Sequence, residues 1–506
     1  MSGLVAAHGS LDPEVGRRML ARLAHRGPDG QGERQVAGAW LGHRRLAIVD
    51  PEGGDQPMGT GDGGLWLVGD GEVYNHRRLR RRLGEERFRT GSDHEAALLL
   101  FADEGTAAFE HLWGTFALAI AGEDGRFAVA RDTFGIAPLY WARGEETTLF
   151  ASELKAFDEE WRALIEPFPP GHMWTPGEGL VPFRPAPVAA PVLMRSRDPQ
   201  EDPPAWVLDA IRETLVRAVE HAMRADVPVG AFLSGGLDSS VVAAIAARAA
   251  RREGGTLKTF VAGLPDSGDL IAARLVADHL GTDHHERIYS PAEAIAATPG
   301  VIEMLESFDP TLVHSTVPNQ FVAELAAQHV KAVLIGEGAD ELFAGYAHYG
   351  DIDIADDLQS ELVETIRGLH IGGLQRVDRV AGDNGLEARI PFLDLDLVEL
   401  ALALPPAWKL TGEGRPEKWL LRRAFEGWLP DEILWRRKEQ FGRGTGMNLV
   451  LAEHFGASVG DDDLRRERGA IDPPLRTREE LAYYRIFAAA LPGVRAQGTI
   501  GRFVEA

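Results

Sequence analysis

Two short loops carry residues that could handle a nucleoside triphosphate. The first, Ser234-Gly235-Gly236-Leu237-Asp238-Ser239-Ser240, closes an apolar run ending at Leu233 and opens a helical pattern. Its glycines let backbone amides close on an anion, its serines add hydroxyl donors, and the helix N-terminus supplies positive potential. A serine-capped, glycine-rich turn without a ligand would use the same residue types. Asp238 tips the balance, because a carboxylate among phosphates makes sense chiefly as a magnesium ligand. None of the chain's six lysines follows a glycine, so the Gly-Lys-Ser/Thr phosphate loop is not the design in use. The second loop, Gly336-Glu337-Gly338-Ala339-Asp340-Glu341, ends a later apolar run. A helix dipole alone would favour Asp340 and Glu341 at such a start. Two acidic loops at strand ends can also meet at one crevice, where Asp238 and Asp340 could share magnesium.

Alternating strand and helix patterns must position these loops. Val227–Leu233, Leu257–Gly263, His285–Tyr289 and Ala332–Ile335 read as strands, and Ser239–Arg252, Asp269–Leu280 and Pro318–His329 as helices. That order predicts a doubly wound parallel sheet with its site beyond the carboxyl ends of the strands. From about Asp356 the pattern is helical cover. Residues 1–166 differ: short apolar runs such as Ala39–Val49, Leu65–Val68 and Phe116–Ala121 alternate with turn clusters, as in a sheet-rich unit. Eleven of the 30 prolines fall between Pro167 and Pro204, which marks a seam. The expected division is 1–185, a linker at 186–205, and 206–506.

At 506 residues the chain is long enough for two cores. Its formal charge of −24 argues against nucleic acid as a partner. The absence of cysteine removes disulfides, thiolate catalysis and cysteine-held metals together. No stretch of about 18 apolar residues occurs, nor a basic leader followed by an apolar core, so no membrane partner and a cytoplasmic setting are expected.

The first loop matches the pyrophosphate loop of the N-type ATP pyrophosphatases. From Met1 to about Gly456 the chain resembles the glutamine-dependent asparagine synthetases, with the β-lactam and carbapenam synthetases as relatives. The resemblance implies that Leu233, Ser234, Gly235, Gly236, Asp238, Ser239, Ser240 and Gly336 bind ATP and its pyrophosphate. It also implies that Asp238 and Asp340 hold Mg2+. Glu337 stands in Gly-Glu-Gly, the asparagine-synthetase form, and a carboxylate there could orient or deprotonate incoming ammonium. Lys438, in Lys438-Glu439-Gln440-Phe441, matches a family lysine that would stabilise the charge on pentavalent phosphorus. Asp383 to Asp394 matches a family segment that could shape the acyl pocket. After Ser307-Phe308-Asp309-Pro310 the family has arginine where His314 stands, which opens the identity of the carboxylate substrate.

The first half resembles the family's N-terminal-nucleophile (αββα) glutaminase, on Arg26-Gly27-Pro28-Asp29, Arg45 to Asp50, Gly71 to His76 and Ser92-Asp93-His94-Glu95. Arg45 and Asp93 would be its vestigial glutamine-binding pair. Two positions depart where the chemistry would occur. Ser2 replaces the nucleophilic cysteine, and Asp70 replaces the asparagine that donates to the oxyanion. An ionised aspartate cannot donate, and losing one such donor costs on the order of 10²–10³ in rate.

The expected activity is therefore ATP-dependent amide formation, from aspartate, ATP and ammonia to asparagine, AMP and pyrophosphate through an acyl-adenylate, with glutamine use lost. The alternative directs the same ligation to another carboxylic acid or amine. ATP and Mg2+ are the implied cofactors, small molecules the partners, and a homodimer is allowed.

Overall fold

The computed structural model describes residues 1–186, 201–412, 414–437 and 447–502. Most of the expected linker, at 187–200, thus lies outside the described residues.

Period-two alternation builds the first half into four layers. In the strand Gly3–His8, Leu4 and Ala6 face Val68, Ala117, Ala119 and Val129 in a core between two sheets. Val5 and Ala7, on its other face, meet Met19 and Leu20 of the helix Pro13–Ala21. In the strand Gly114–Gly122, Leu118 and Ile120 turn outward against Leu98 and Phe101 of the helix Asp93–Glu104. Each sheet has six strands, and the result is helix, sheet, sheet, helix, as expected.

Beyond the seam, a five-stranded parallel sheet runs in the order Asp283–Ile288, Lys258–Gly263, Val229–Phe232, Ala332–Leu334, Glu387–Arg389. The chain moves outward in one direction from Val229–Phe232, then returns to its other side. The switch between Val229–Phe232 and Ala332–Leu334 opens a crevice beyond their carboxyl ends, and the two acidic loops follow these two strands.

Three elements differ from the sequence expectation. The helix read from Pro318 runs from Pro310 to Ala326, with Asp309 capping it and Pro318 inside. Both prolines satisfy the first-turn preference, and only the cap distinguishes them. A helix at Pro291–Leu305 was missed although Ser290 and Glu293 form a capping box. Glu387–Arg389 is a fifth strand within the segment read as helical cover, too short to show a period. Among the described residues no helix is long and apolar enough to cross a membrane.

Candidate active site

The two acidic loops meet, and a lysine joins them. Lys418 Nζ stands 2.7 Å from Asp340 Oδ1 and donates a short hydrogen bond to Asp238 Oδ2. Lys418 is only 2% exposed and lies in the left-handed region at φ +57°. Burial pushes its ammonium toward neutrality, but the two carboxylates win and hold its pKa above the ordinary lysine value.

Two glycines make this approach feasible. A Cβ on Gly336 would lie 2.9 Å from the Asp238 carbonyl carbon and the Ser239 nitrogen, so only glycine lets the second loop rest on the first turn of the helix Leu237–Arg252. A Cβ on Gly345 would lie 2.0 Å from Asp340 Oδ1 and 2.1 Å from Lys418 Cε, in the channel through which these side chains reach each other.

The pyrophosphate loop is tied to itself. Ser234 N–H donates to Ser239 Oγ at 3.2 Å, the two hydroxyls are 3.0 Å apart, and Ser239 Oγ donates to the Gly236 carbonyl at 3.2 Å. Leu233 and Ser240 are fully buried beneath it. Arg436 adds a cation that sequence reasoning passed over, 3.5 Å from the Gly235 carbonyl and 3.3 Å from Asp269 Oδ1. Lys438 lies outside the described residues. Lys418 was also missed, and its signal was scarcity: it is one of six lysines and directly precedes the helix Trp419–Ala424.

Glu337 is gripped by Arg376, Nη2 to Oε2 at 2.5 Å, while Arg376 Nη1 donates to Ser315 Oγ at 2.9 Å. Behind it Glu341 is 1% exposed and accepts from the Tyr346 hydroxyl. Burial, then the charges of Glu337 and Asp340, push its carboxyl up to about 8. Since folded Glu341 keeps its proton where the unfolded residue has lost it, its contribution to stability is full below the unfolded pKa. It declines by about 1.4 kcal/mol per pH unit as pH rises toward 8, then levels off. The Glu341→Gln variant should therefore gain stability relative to the parent between pH 5 and 8. Melting curves of both proteins across that range check this, and a constant difference would show that Glu341 is ionised throughout.

In the first half, Arg26 gathers the two departed positions. Its Nε donates to the Ser2 carbonyl at 2.6 Å and its Nη2 to Asp70 Oδ2 at 2.9 Å. Ser2 Oγ accepts from Leu46 N–H at 3.1 Å, and its own nitrogen is an amide behind Met1, whose ammonium donates to the Leu386 carbonyl. Burial raises the Asp70 carboxyl to about 6 against the opposing pull of Arg26, which leaves it mainly ionised at pH 7. Arg45 is committed to the loop after it, donating to the Asp50 and Pro51 carbonyls and to Asp55 Oδ1 at 2.6, 2.8 and 2.9 Å. Asp93 accepts from Val73 N–H at 2.6 Å and lies 3.3 Å from His94 Nδ1. Burial opposes its ionisation, but His94 and the Val73 amide bring it down to about 2. His314 faces Glu479 of the helix Arg478–Ala490, Nε2 to Oε1 at 2.6 Å, and the Tyr483 hydroxyl shares that oxygen at 2.8 Å.

Comparison with known proteins agrees with this layout. The Asparagine synthase family model matches residues 210–362 and 351–496, and the Glutamine amidotransferase domain model matches residues 1–166. The chain is 36% identical to glutamine-hydrolyzing asparagine synthetase 2 of Arabidopsis thaliana over 99% of this chain and 89% of that protein. It is 36% identical to a probable glutamine-hydrolyzing asparagine synthetase of Dictyostelium discoideum, covering 100% and 96% respectively. A probable enzyme of the same name from Schizosaccharomyces pombe is 37% identical, covering 97% and 94%. An amidotransferase-type half joined to a parallel-sheet half with a pyrophosphate loop defines an ATP-dependent, amide-forming carbon–nitrogen ligase. The chain belongs to the asparagine synthetase family.

Proposed function

We propose that the protein makes asparagine from aspartate, ATP and free ammonia, and no longer draws nitrogen from glutamine. The observation that supports the ligase half best is the meeting of Asp238, Asp340 and Lys418 at the ends of two adjacent parallel strands, beside the pyrophosphate loop.

In this reading ATP lies with its β- and γ-phosphates against Ser234, Gly235, Gly236 and Ser239. A carboxylate oxygen of the acid attacks the α-phosphorus, and pyrophosphate leaves. Lys418, a permanent cation in a dry site, and Lys438 stabilise the negative charge that accumulates there. Ammonia then attacks the acyl carbon, AMP departs on its former carboxylate oxygen, and Glu337 takes the proton that nitrogen must lose. Arg376 fixes the carboxylate for that task.

Magnesium fits Asp238 and Asp340 by donor chemistry: both offer oxygen, and one cation already reaches both. Among the described residues no cluster of three or more ligating side chains occurs, so phosphate oxygens and water would complete such a site. Bound there, magnesium would neutralise charge on the departing pyrophosphate.

The loss of glutamine use rests on Asp70, whose carboxylate occupies the donor's place and accepts from Arg26. A second reading, a different acid as substrate, is favoured by His314, which is turned to Glu479 where the family carries a permanent cation.

The test is pyrophosphate release with a panel of carboxylic acids and either ammonium or glutamine. Aspartate and ammonium should support turnover, and glutamine should not. Release of glutamate from glutamine at a rate comparable to synthesis overturns this part. Ser2→Cys alone should leave glutamine unused, because Asp70 still repels the oxyanion. Recovery of glutamine use requires the double variant with Asp70→Asn.

A further inference from the structure

The helix Gly373–Asp383 links the former glutaminase site to the ligase site. Arg376 on this helix holds Glu337. Two residues along, Asp378 receives both arms of the Arg26 guanidinium, Nη1 to Oδ2 and Nη2 to Oδ1, each at 2.8 Å. Residues two apart point to opposite sides of a helix and are separated by only about 3 Å of rise. The helix is thus pinned on one side from the first half and on the other grips the carboxylate assigned to nitrogen attack.

The pin is dry. Arg26 and Asp70 are 0% exposed and Asp378 2%. Arg26 Nη1 also meets Glu153 Oε1 at 2.8 Å. Arg379, next on the helix, reaches Glu306 Oε2 at 2.9 Å and Asp378 Oδ2 at 2.7 Å. Glu306 in turn accepts from the backbone N–H groups of Leu154 and Lys155 at 3.0 and 2.7 Å, which closes the connection to the first half. Such forked contacts tolerate little displacement.

We propose that Asp70 is a positioning residue of the ligase reaction: by fixing Arg26 it sets Asp378 and the helix behind it, and through Arg376 the place of the Glu337 carboxylate. The aspartate that disables an oxyanion site thereby makes the first half a working support of the second. This rests on the reading of Glu337 given above.

The test compares the full chain with Asp70→Asn and Asp378→Asn, both close to isosteric. Acid-dependent exchange of labelled pyrophosphate into ATP reports adenylation, and amide formation at varied ammonium and pH reports nitrogen transfer. Exchange should stay within about twofold of the parent, whereas amide formation should fall about tenfold with a raised KM for ammonium and a displaced pH profile, the signature of a misplaced group. A purely structural role would lower both rates together, in step with the folded fraction in melting curves, and that result overturns the proposal. So do variants in which both rates are unchanged. If Asp378→Asn does not fold, Asp70→Asn decides alone, since it removes the charge that fixes Arg26 while keeping the side chain's volume. A parent protein lacking both rates overturns the ligase reading itself.

Discussion

Replacing Lys418 by methionine should reduce acid-dependent pyrophosphate exchange by roughly 10³-fold or more, with ATP affinity changed far less. Its ammonium is almost wholly buried and aimed at two carboxylates on the lips of the crevice. Bulk water screens little there, and a charge in a water-excluded site stabilises a transition state far more strongly than one in solvent. The left-handed backbone of a lysine at this position is held by the surrounding structure, as strained residues at functional sites usually are. Asp238→Asn and Asp340→Asn should each lose exchange as well, while retaining the fold, because the paired acidic charge that would hold magnesium is broken. Near-normal exchange in Lys418→Met with an unchanged melting curve would assign the phosphorus chemistry to Lys438 or Arg436 instead. Exchange alongside amide formation also separates this lysine from Glu337: Glu337→Gln should still exchange pyrophosphate but transfer nitrogen slowly.

The second large effect is on stability. Arg26→Met should destabilise the protein by about 3–5 kcal/mol, since removing one partner of a buried ionic cluster leaves uncompensated charge behind. Arg26 faces Asp70, Glu153 and Asp378, all within 2.9 Å. Two of these carboxylates belong to the first half and one to the second, so the loss should fall on the docking of the halves. Chemical unfolding followed by tryptophan fluorescence should show an earlier or split transition. Arg26→Lys should recover only part of the difference, because one ammonium cannot reproduce a planar fork to three acids. An unchanged midpoint in Arg26→Met would mean that the cluster contributes nothing net to stability.

The sequence determined what local pattern can encode. Short apolar runs between turn clusters marked the first half as sheet-rich, and its αββα layering was implied only by the family resemblance. Alternating strand and helix patterns gave the parallel sheet, and loops at strand ends gave Asp238 and Asp340 their shared crevice, because strand topology alone brings those ends together. The departures at Ser2 and Asp70 were equally legible, since each is a change of residue type at a position fixed by motif. Only the tertiary structure decided the partners. Lys418 meets Asp238 across 180 residues, and Arg26 meets Asp378 across 352. No local periodicity records such pairs, because the free energy that selects them arises only when burial removes water from both charges and each must find an opposite one. For the same reason His314, read as a question about the substrate, is found facing a glutamate 165 residues away.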